Sequence, residues 1–442
     1  LFVRHLASTA KKKGEAEMQR VLSGELAQHS GENVAVQGWI HRIRDLGGVK
    51  FLLIRDLQGV VQCVLDKDVD VNNEDVVEVV GVVRQEDRAP GGVEVQASGL
   101  RIISKAHPAL PLELNQKKLT ASLDLALDHR ALSLRNPRVR AAMKIQAELT
   151  HAFREGLRRE GFTEINTPKI VSAGAEGGSA VFPVKYFDRT AFLAQSPQFY
   201  KQIMVGVFER VFEVAHVFRA EEHNTSRHLN EYLSLDYEMG FIENEHTVMD
   251  MEVKLLQLMF QHIQETCRQE LEMYGARVPA VDPPRIPLAE AQEILREKLG
   301  KEYTAGDDLD PEGERLICRH VEEETGSEMV FLTEYPVRKR PMYTMPHESK
   351  PGVTRSFDLL YKGLEITTGG QRIHDYDMLR NNIAAWGLDP ADFEYYLEAF
   401  RYGMPPHGGL AIGAERLTAR LLDMSNVREA TLFPRDTSRL VP

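Results

Sequence analysis

Phe218-Arg219-Ala220-Glu221-Glu222-His223-Asn224-Thr225-Ser226-Arg227-His228-Leu229-Asn230-Glu231-Tyr232 runs directly into Leu233-Ser234-Leu235-Asp236-Tyr237-Glu238-Met239-Gly240-Phe241. In the second half, Leu233, Leu235, Tyr237, Met239 and Phe241 alternate with Ser234, Asp236, Glu238 and Gly240. That is the two-residue period of a strand. One face must pack against helices while the other lines a polar site. Another strand enters from Val211, so the charged stretch is the loop of an antiparallel pair. Guanidinium forks match phosphate oxygens bidentately, which suits this loop to gripping a polyphosphate. Its carboxylates can organise a metal or an amine. A solvated hairpin tip is the alternative; so many charges beside a nearly uncharged strand favour a site.

Helical patterns surround this pair. Ile145, Leu149, Phe153 and Leu157 recur every four residues within a helix expected over 140–161, with Gly161 to cap it. A long helix around 248–274 suits the packed face of the strand. Residues 283–324 read as a helical insertion, and strands return at 328–333 and 364–368. This order predicts an α+β fold, a large antiparallel sheet with flanking helices, and not a doubly wound parallel sheet. Neither GxGxxG nor GxxxxGK[ST] occurs, which lowers the case for a dinucleotide or P-loop enzyme.

The N-terminal quarter differs. Short strands are expected at 34–40, 50–56, 60–65, 75–84 and 93–103, punctuated by Gly47-Gly48, Gln58-Gly59 and Pro90-Gly91-Gly92. Five strands in about 70 residues suggest an all-β closed barrel of the OB type, a fold that often binds single-stranded nucleic acid. Spacing alone accommodates an SH3-like barrel nearly as well. The expected plan is an arm at 1–30, the barrel at 31–104, and a connecting stretch at 105–130 stiffened by Pro108 and Pro111. A second domain fills 131–442. A chain of 442 residues suits such a division.

The net charge of -12, split as -2 in residues 1–104 and -10 in 105–442, argues against a protein that coats nucleic acid nonspecifically. A local footprint of Arg42, Arg44, Lys50 and Arg55 can still meet phosphate, or be a solvated strand face. The opening residues are apolar for too few positions to form a signal-peptide core, and no run reaches membrane-spanning length. A cytoplasmic protein with no membrane partner is expected. Cys63, Cys267 and Cys318 are far apart and lack a CxxC spacing, as expected of buried thiols in a reducing compartment.

Four stretches concentrate polar and glycine residues between apolar runs. Besides the charged hairpin loop they are Gly174-Ala175-Glu176-Gly177-Gly178, Gln195-Ser196-Pro197-Gln198-Phe199-Tyr200-Lys201, and a divided site. The last comprises Lys362-Gly363-Leu364-Glu365-Ile366-Thr367-Thr368-Gly369-Gly370-Gln371-Arg372 and Gly408-Gly409-Leu410-Ala411-Ile412-Gly413-Ala414-Glu415-Arg416-Leu417. The glycines of the latter would let a strand and helix approach a ligand closely. A structural salt bridge explains any one of the arginines; a shared site must explain all of them.

In this order, behind a barrel of this kind, these stretches resemble the signature motifs of class II aminoacyl-tRNA synthetases. They resemble in particular the aspartyl-tRNA synthetases of archaeal type, over essentially the whole chain after the first thirty residues. The 140–161 helix with Phe162-Thr163-Glu164-Ile165-Asn166-Thr167-Pro168 looks like motif 1, whose proline lies at a dimer interface, so the resemblance implies a homodimer. The 219–231 loop looks like motif 2 and residues 408–417 like motif 3.

The resemblance implies the substrates ATP, L-aspartate and tRNA, with Mg²⁺. Arg219 would contact the α-phosphate and Glu221 the adenine amine; Arg227, His228, Gly413 and Arg416 would complete the nucleotide site. Arg219 and Arg416 would be the catalytic pair. Glu365 and Thr368 would hold the metal, which demands a bulge or a strand end, since strict alternation puts Thr367 beside Glu365. Lys201 and Arg372 would face the aspartate side chain, with Gln195, Ser196 and Gln198 shaping the pocket and Asp236 and Glu176 receiving the amino group. On the barrel, Phe51 would stack on the middle anticodon base and Gln62 read its edge, with Arg42 and Arg44 nearby. His41 and Pro90 stand where relatives confined to tRNA-Asp tend to have Trp and Lys. The resemblance therefore implies a nondiscriminating enzyme that also charges tRNA-Asn and supplies an amidotransferase. A discriminating aspartyl enzyme, an amide-forming paralogue that works without tRNA, and a non-catalytic RNA-binding or regulatory protein are the competing readings.

Overall fold

Residues 19–66, 68–172, 180–304 and 306–441 are described by a computed structural model. The chain divides into two compact units, Leu1–Thr120 and Ala121–Pro442. The division falls inside the stretch expected to connect two domains.

Unit one is built on β1 (Asn33–Asp45), β2 (Lys50–Arg55), β3 (Val60–Leu65), β4 (Val76–Gln85) and β5 (Val93–Ser104). They close into a barrel in the order β1-β2-β3-β5-β4. All pairs are antiparallel except β3 with β5. This closure is the OB arrangement, so the SH3-like alternative falls. Val36, Ile40, Leu52, Ile54, Cys63, Val77, Val79 and Val95 are wholly buried inside, because alternate side chains of each strand point into the barrel.

Unit two begins with α1 (Leu123–Asp128), α2 (Arg130–Ser133) and α3 (Pro137–Arg159). Helix α3 is set by its ends. The Asn136 side chain accepts from the amides of Arg138 and Val139, and Pro137 stands where no amide is needed. Gly161, at φ 81°, follows the C-terminus. Short strands β6 (Thr163–Glu164), β7 (Ile170–Val171), β8 (Pro183–Tyr186) and β9 (Arg189–Leu193) precede α4 (Gln198–Phe208) and the hairpin β10 (Arg210–Phe218) and β11 (Glu231–Gly240). Next come α5 (Glu245–Thr266), α6 (Arg268–Tyr274), β12 (Arg285–Pro287), α7 (Leu288–Leu299), α8 (Pro311–Thr325), β13 (Met329–Thr333), β14 (Ser356–Tyr361) and β15 (Leu364–Arg372). Helices α9 (Tyr376–Ala385) and α10 (Glu394–Arg401), strand β16 (His407–Gly413) and helix α11 (Ala414–Leu421) complete it.

The main sheet has eight strands, ordered β12-β13-β14-β15-β16-β11-β10-β6. Its six central strands are antiparallel, as expected, but each end carries one parallel neighbour, β12 on β13 and β6 on β10. Three expectations need correction. The helix expected over 248–274 is two, broken at Cys267. The helical insertion contains β12, a strand too short to show a period. Phe241 does not continue the packed face, because β11 ends at Gly240 and Phe241 is 71% exposed. Strand β14 gave no alternating signal because every residue in it is buried, as in a strand covered on both faces.

Leu235, Tyr237 and Met239 pack with Ile145, Leu149, Phe153 and Leu157 of α3 and Val248, Leu255, Leu256 and Met259 of α5 in the largest apolar cluster. Glu252 of α5 is trapped beneath the same sheet, fully buried, with Thr367 and Asp358 as polar neighbours. Burial pushes its carboxyl from 4.5 up to about 8, against the Thr367 hydroxyl. A carboxyl raised on folding favours the native state while protonated; that contribution is full below 4.5 and is lost as pH rises through about 8. Glu252→Gln, which cannot ionise, should therefore melt at a higher temperature than the unsubstituted chain at pH 9 and at the same temperature at pH 4. Thermal melts at the two pH values check this, and equal melts at pH 9 contradict it.

Candidate active site

The polar face of β11 lies opposite that core. Ser234 lines a recess there, while Asp236 and Glu238 lie just beneath its floor. The β10–β11 loop is clamped at its root. Asn230 Nδ2 donates to the carbonyls of Arg219, at 2.8 Å, and Glu221, at 3.1 Å, and the Arg219 amide donates to the Asn230 carbonyl at 2.9 Å. Within the loop, the Thr225 hydroxyl and His228 Nδ1 are 2.7 Å apart. Burial and then the Arg416 charge push the His228 pKa down.

Arg219, Glu221, Arg227, His228, Glu365, Thr368, Gly413 and Arg416 line one recess of about 220 Å³. Residues widely separated in the chain meet there because β15, β16 and β11 are adjacent in the sheet and Arg416 stands in the first turn of α11, just after β16. Arg416 Nη1 donates to the Glu365 carbonyl at 3.0 Å and lies 3.4 Å from its carboxylate. Burial raises the Glu365 pKa, but Arg416, the Thr368 hydroxyl, Arg219 and Arg340 together outweigh it and hold the carboxyl below its ordinary value. Arg227 reaches away to pair with Glu314 of α8, a carboxyl that burial pushes up to about 7 despite Arg227.

The register of β15 removes the difficulty with Thr368. Leu359 of β14 pairs with Thr367 and Leu360 with Glu365, so Ile366 is the extra residue of a bulge. Thr367 consequently turns into the core at 1% exposure while Thr368 shares a face with Glu365. The Thr368 hydroxyl donates to Glu365 Oε1 at 3.0 Å. Two hard oxygen donors side by side suit Mg²⁺, which favours carboxylate, phosphate and water oxygens. Among the described residues no three His, Cys, Asp or Glu side chains cluster as a metal site.

A neighbouring recess of about 500 Å³ is lined by Gln195, Ser196, Gln198, Lys201 and Arg372. It shares Arg219, Tyr232, Ser234, Glu365, Thr368 and Ala411 with the first, so the two are continuous. Lys201 and Arg372 are not bare charges. Lys201 Nζ is 3.0 Å from Asp236 and 3.4 Å from Glu238, and Arg372 Nε donates to Glu238 at 2.9 Å. Burial raises the Glu238 pKa, but Arg372 and Lys201 reverse it and keep the carboxyl ionised. Both cations line the recess as expected, but the cluster is balanced, and a bound carboxylate would share it. Asp236 does not line the recess; Lys201 and Ser234 already engage its two oxygens. Receiving an amine there would require exchanging one of them. Glu176 lies outside the described residues.

The glycines of 408–417 divide in role. A Cβ at Gly409 would drive into the Tyr237 carbonyl and Glu238, so this glycine serves strand packing, contrary to the expected ligand approach; Gly413 lines the recess. The basic run Arg338-Lys339-Arg340, which lines the larger recess, was not singled out in the sequence. Arg340 lies buried against Asp358 at 2.8 Å, and Asp358 stands opposite Thr368 in the sheet. A basic run before a proline was its only signal.

On the barrel, His41, Arg42 and Arg44 follow one another on β1, with Leu53 and Phe51 of β2 opposite the two arginines and Gln62 of β3 opposite Leu53. Partners across antiparallel strands share a face, so Arg42, Arg44, Phe51 and Gln62 lie on one face of the barrel wall, with Gln62 itself 8% exposed. Arg42 donates to the Asn115 carbonyl at 3.2 Å, and Gln62 to Glu94 at 2.9 Å. Pro90 is exposed, at the turn before β5. Two members of the expected phosphate footprint fall away. Lys50 is paired with Asp68, and Arg55 is buried against Glu74.

Residues 122–437 match the family model of class II tRNA synthetases (D, K and N), and residues 34–103 match that of OB-fold nucleic acid binding domains. The chain belongs to the class II tRNA synthetases. Among similar members of this synthetase family, the aspartate–tRNA(Asp/Asn) ligase of Deinococcus radiodurans is 55% identical, with 96% of this chain and 99% of that one covered. The aspartate–tRNA(Asp) ligase of Pyrococcus horikoshii is 46% identical over 95% of this chain and 99% of its own. Among solved synthetases, asparaginyl-tRNA synthetase from Pyrococcus horikoshii complexed with asparaginyl-adenylate has a TM-score of 0.89 at 35% identity, covering 96% of this chain and all of that one.

Proposed function

We propose that this synthetase activates L-aspartate with ATP and transfers it to both tRNA-Asp and tRNA-Asn. The observation that carries the reading is the convergence of Arg219, Glu365 and Arg416 on one recess continuous with the Lys201–Arg372 cluster. Relatives named for both tRNAs, from Deinococcus radiodurans at 55% and Thermus thermophilus at 52% identity, exceed those named for tRNA-Asp alone, at 46%.

The aspartate carboxylate is ionised near neutral pH, so its attack on the α-phosphorus, which breaks the bond to the β-phosphate and releases pyrophosphate to leave aspartyl-adenylate, needs no general base. Arg219 neutralises charge building on the α-phosphate, and Arg416 and His228 hold the outer phosphates. Catalysis is alignment plus electrostatic stabilisation. Glu221 holds the adenine amine. Glu365 and Thr368 would hold Mg²⁺, which would supply charge neutralisation on the phosphates. A ribose hydroxyl of the terminal adenosine of tRNA then attacks the acyl carbon of that adenylate, forming the ester and breaking the acyl–phosphate bond, with AMP leaving and taking up the hydroxyl proton. Gln195, Ser196 and Gln198 shape the aspartate pocket, and Glu176 receives its amino group, joined by Asp236 once that carboxylate exchanges its bond to Lys201 or Ser234.

A homodimer is supported by the motif 1 likeness and by exposed Val207, Phe208 and Phe241, brought together where the Gly240 amide donates to the Glu209 carbonyl. The described residues contain no helix long and apolar enough to cross a membrane. The cytoplasm, where the tRNAs and an amidotransferase acting on Asp-tRNA-Asn would be found, is the proposed location. Charging of purified transcripts tests the specificity: tRNA-Asn should be aspartylated within about tenfold of the tRNA-Asp rate. A rate about 1% or less of that on tRNA-Asp would leave a discriminating enzyme.

A further inference from the structure

Arg372 of β15 and His407 of β16 are partners across the sheet, and a chain of side chains joins them by a longer route. His407 Nδ1 lies 2.9 Å from the Pro405 carbonyl, which only accepts, so Nδ1 carries a proton. Burial above all holds the His407 pKa down to about 4, so the ring is neutral and Nε2 is bare. Gln202 Nε2 stands 2.9 Å from that bare nitrogen and donates to it. The Gln202 oxygen is thereby directed the other way, where it accepts from the Tyr396 hydroxyl and from Gln198 Nε2, at 3.0 Å each. With its nitrogen committed, Gln198 offers its oxygen to Arg372 Nη2, 3.4 Å away.

A carboxamide turned over fills nearly the same space, so packing alone does not set these directions. The two ends of the relay do. Reversing it as a whole would place the Nδ1 lone pair against the Pro405 carbonyl at one end. At the other it would place the Gln198 NH₂ against a guanidinium, which has only donors. His407, Gln202 and Tyr396 are wholly buried, whereas Gln198 and Arg372 line the larger recess. The relay thus begins at a backbone carbonyl in the interior and ends at the wall that meets the ligand. There Arg372 is held in plane by Glu238, which accepts from Nε at 2.9 Å, and by the Gly409 carbonyl, which accepts from Nη2 at 2.8 Å, with Gln198 as a further acceptor.

We infer that His407 is a positioning residue for amino acid selection: acting through Gln202, it turns the Gln198 oxygen towards Arg372 and keeps that guanidinium aligned for a carboxylate and opposed to an amide. The inference rests on the reading above, in which the recess takes aspartate. A side-chain carboxylate brings only acceptors to the guanidinium, whichever way it turns. An asparagine side chain brings one acceptor and one NH₂. A guanidinium locked in plane cannot move away from that NH₂, so the mismatch keeps its full cost. Once Gln198 can turn over, its NH₂ displaces Arg372. The forked grip on the carboxylate then loosens, and the penalty against the amide falls with it.

The test is the ratio of kcat/KM for aspartate to that for asparagine in pyrophosphate exchange by the full chain. In His407→Phe and Gln202→Met the ratio should fall at least tenfold, chiefly through a raised KM for aspartate, while the KM for ATP stays within about threefold. His407→Gln, whose oxygen can stand where Nε2 stands, should keep most of the ratio. A second measurement holds even where a variant folds poorly. Nitrogen-15 NMR of the histidine-labelled chain near pH 7, with the His407 signals identified by their loss in His407→Gln, should show Nδ1 protonated and Nε2 bare. The inference is overturned if the ratio in both His407→Phe and Gln202→Met stays within threefold of the unsubstituted chain. It is equally overturned if the KM for ATP rises in the same proportion as that for aspartate, if His407→Gln loses as much as His407→Phe, or if the proton is found on Nε2. Failure of the underlying reading is distinct, because the unsubstituted chain would then show no exchange with aspartate.

Discussion

Arg219→Ala should lower aspartate-dependent exchange of pyrophosphate into ATP by about a thousandfold, with the melting temperature little changed. The size follows from what the side chain does: a pre-placed donor aimed at charge that develops only in the transition state is worth about 10²–10³ in rate when removed. Arg219 fits that role because its backbone is fixed by Asn230 while its guanidinium stands over the Tyr232 ring, 5.9 Å from the centroid, at the junction of both recesses. The effect belongs in kcat more than in the KM for ATP, since on the proposed reading His228 and Arg416 would still hold the outer phosphates. A loss of less than tenfold, or an equal loss confined to KM, would remove Arg219 from the reacting phosphate.

Arg372→Met should act on both folding and activity. It leaves Glu238, wholly buried, with Lys201 at 3.4 Å as its remaining cation. Breaking a buried ion pair from one side costs about 3–5 kcal/mol, because the surviving charge has lost its compensation. Aspartate activation should fall at least a hundredfold, as the forked donor beside the ligand is gone. The double variant Arg372→Met with Glu238→Met separates the two effects. Replacing both members by apolar side chains of similar volume should restore most of the melting temperature, whereas exchange activity should not return. Recovery of activity in the double variant would show that Arg372 serves only to neutralise Glu238.

Much of this site was legible in the chain because its local rules are strong. The 233–240 alternation exposed the division of β11 into a core face and a polar face. The five barrel strands were visible as short runs rich in valine and isoleucine, separated by polar or glycine-containing turns. The mismatch between Glu365 and Thr368 was informative in itself, since it demanded a bulge, and the bulge at Ile366 supplies it. What escaped has physical reasons. Strand β14 is covered on both faces and shows no period. The break at Cys267 leaves the apolar pattern of α5 and α6 uninterrupted. The balancing of Lys201 and Arg372 by Asp236 and Glu238 arises where β11, α4 and β15 meet, a tertiary relation that no local spacing reports. The burial of Arg55 on Glu74 was hidden for the same reason: nineteen residues and a barrel closure separate them.

The measurement that bears most directly on the central claim is pyrophosphate exchange by the unsubstituted chain with aspartate and with asparagine as alternative substrates. A balanced cluster offering forked and ammonium donors predicts brisk exchange with aspartate and a rate at least a hundredfold lower with asparagine. Comparable rates with the two amino acids, or no exchange with either in magnesium-supplied protein, would contradict it.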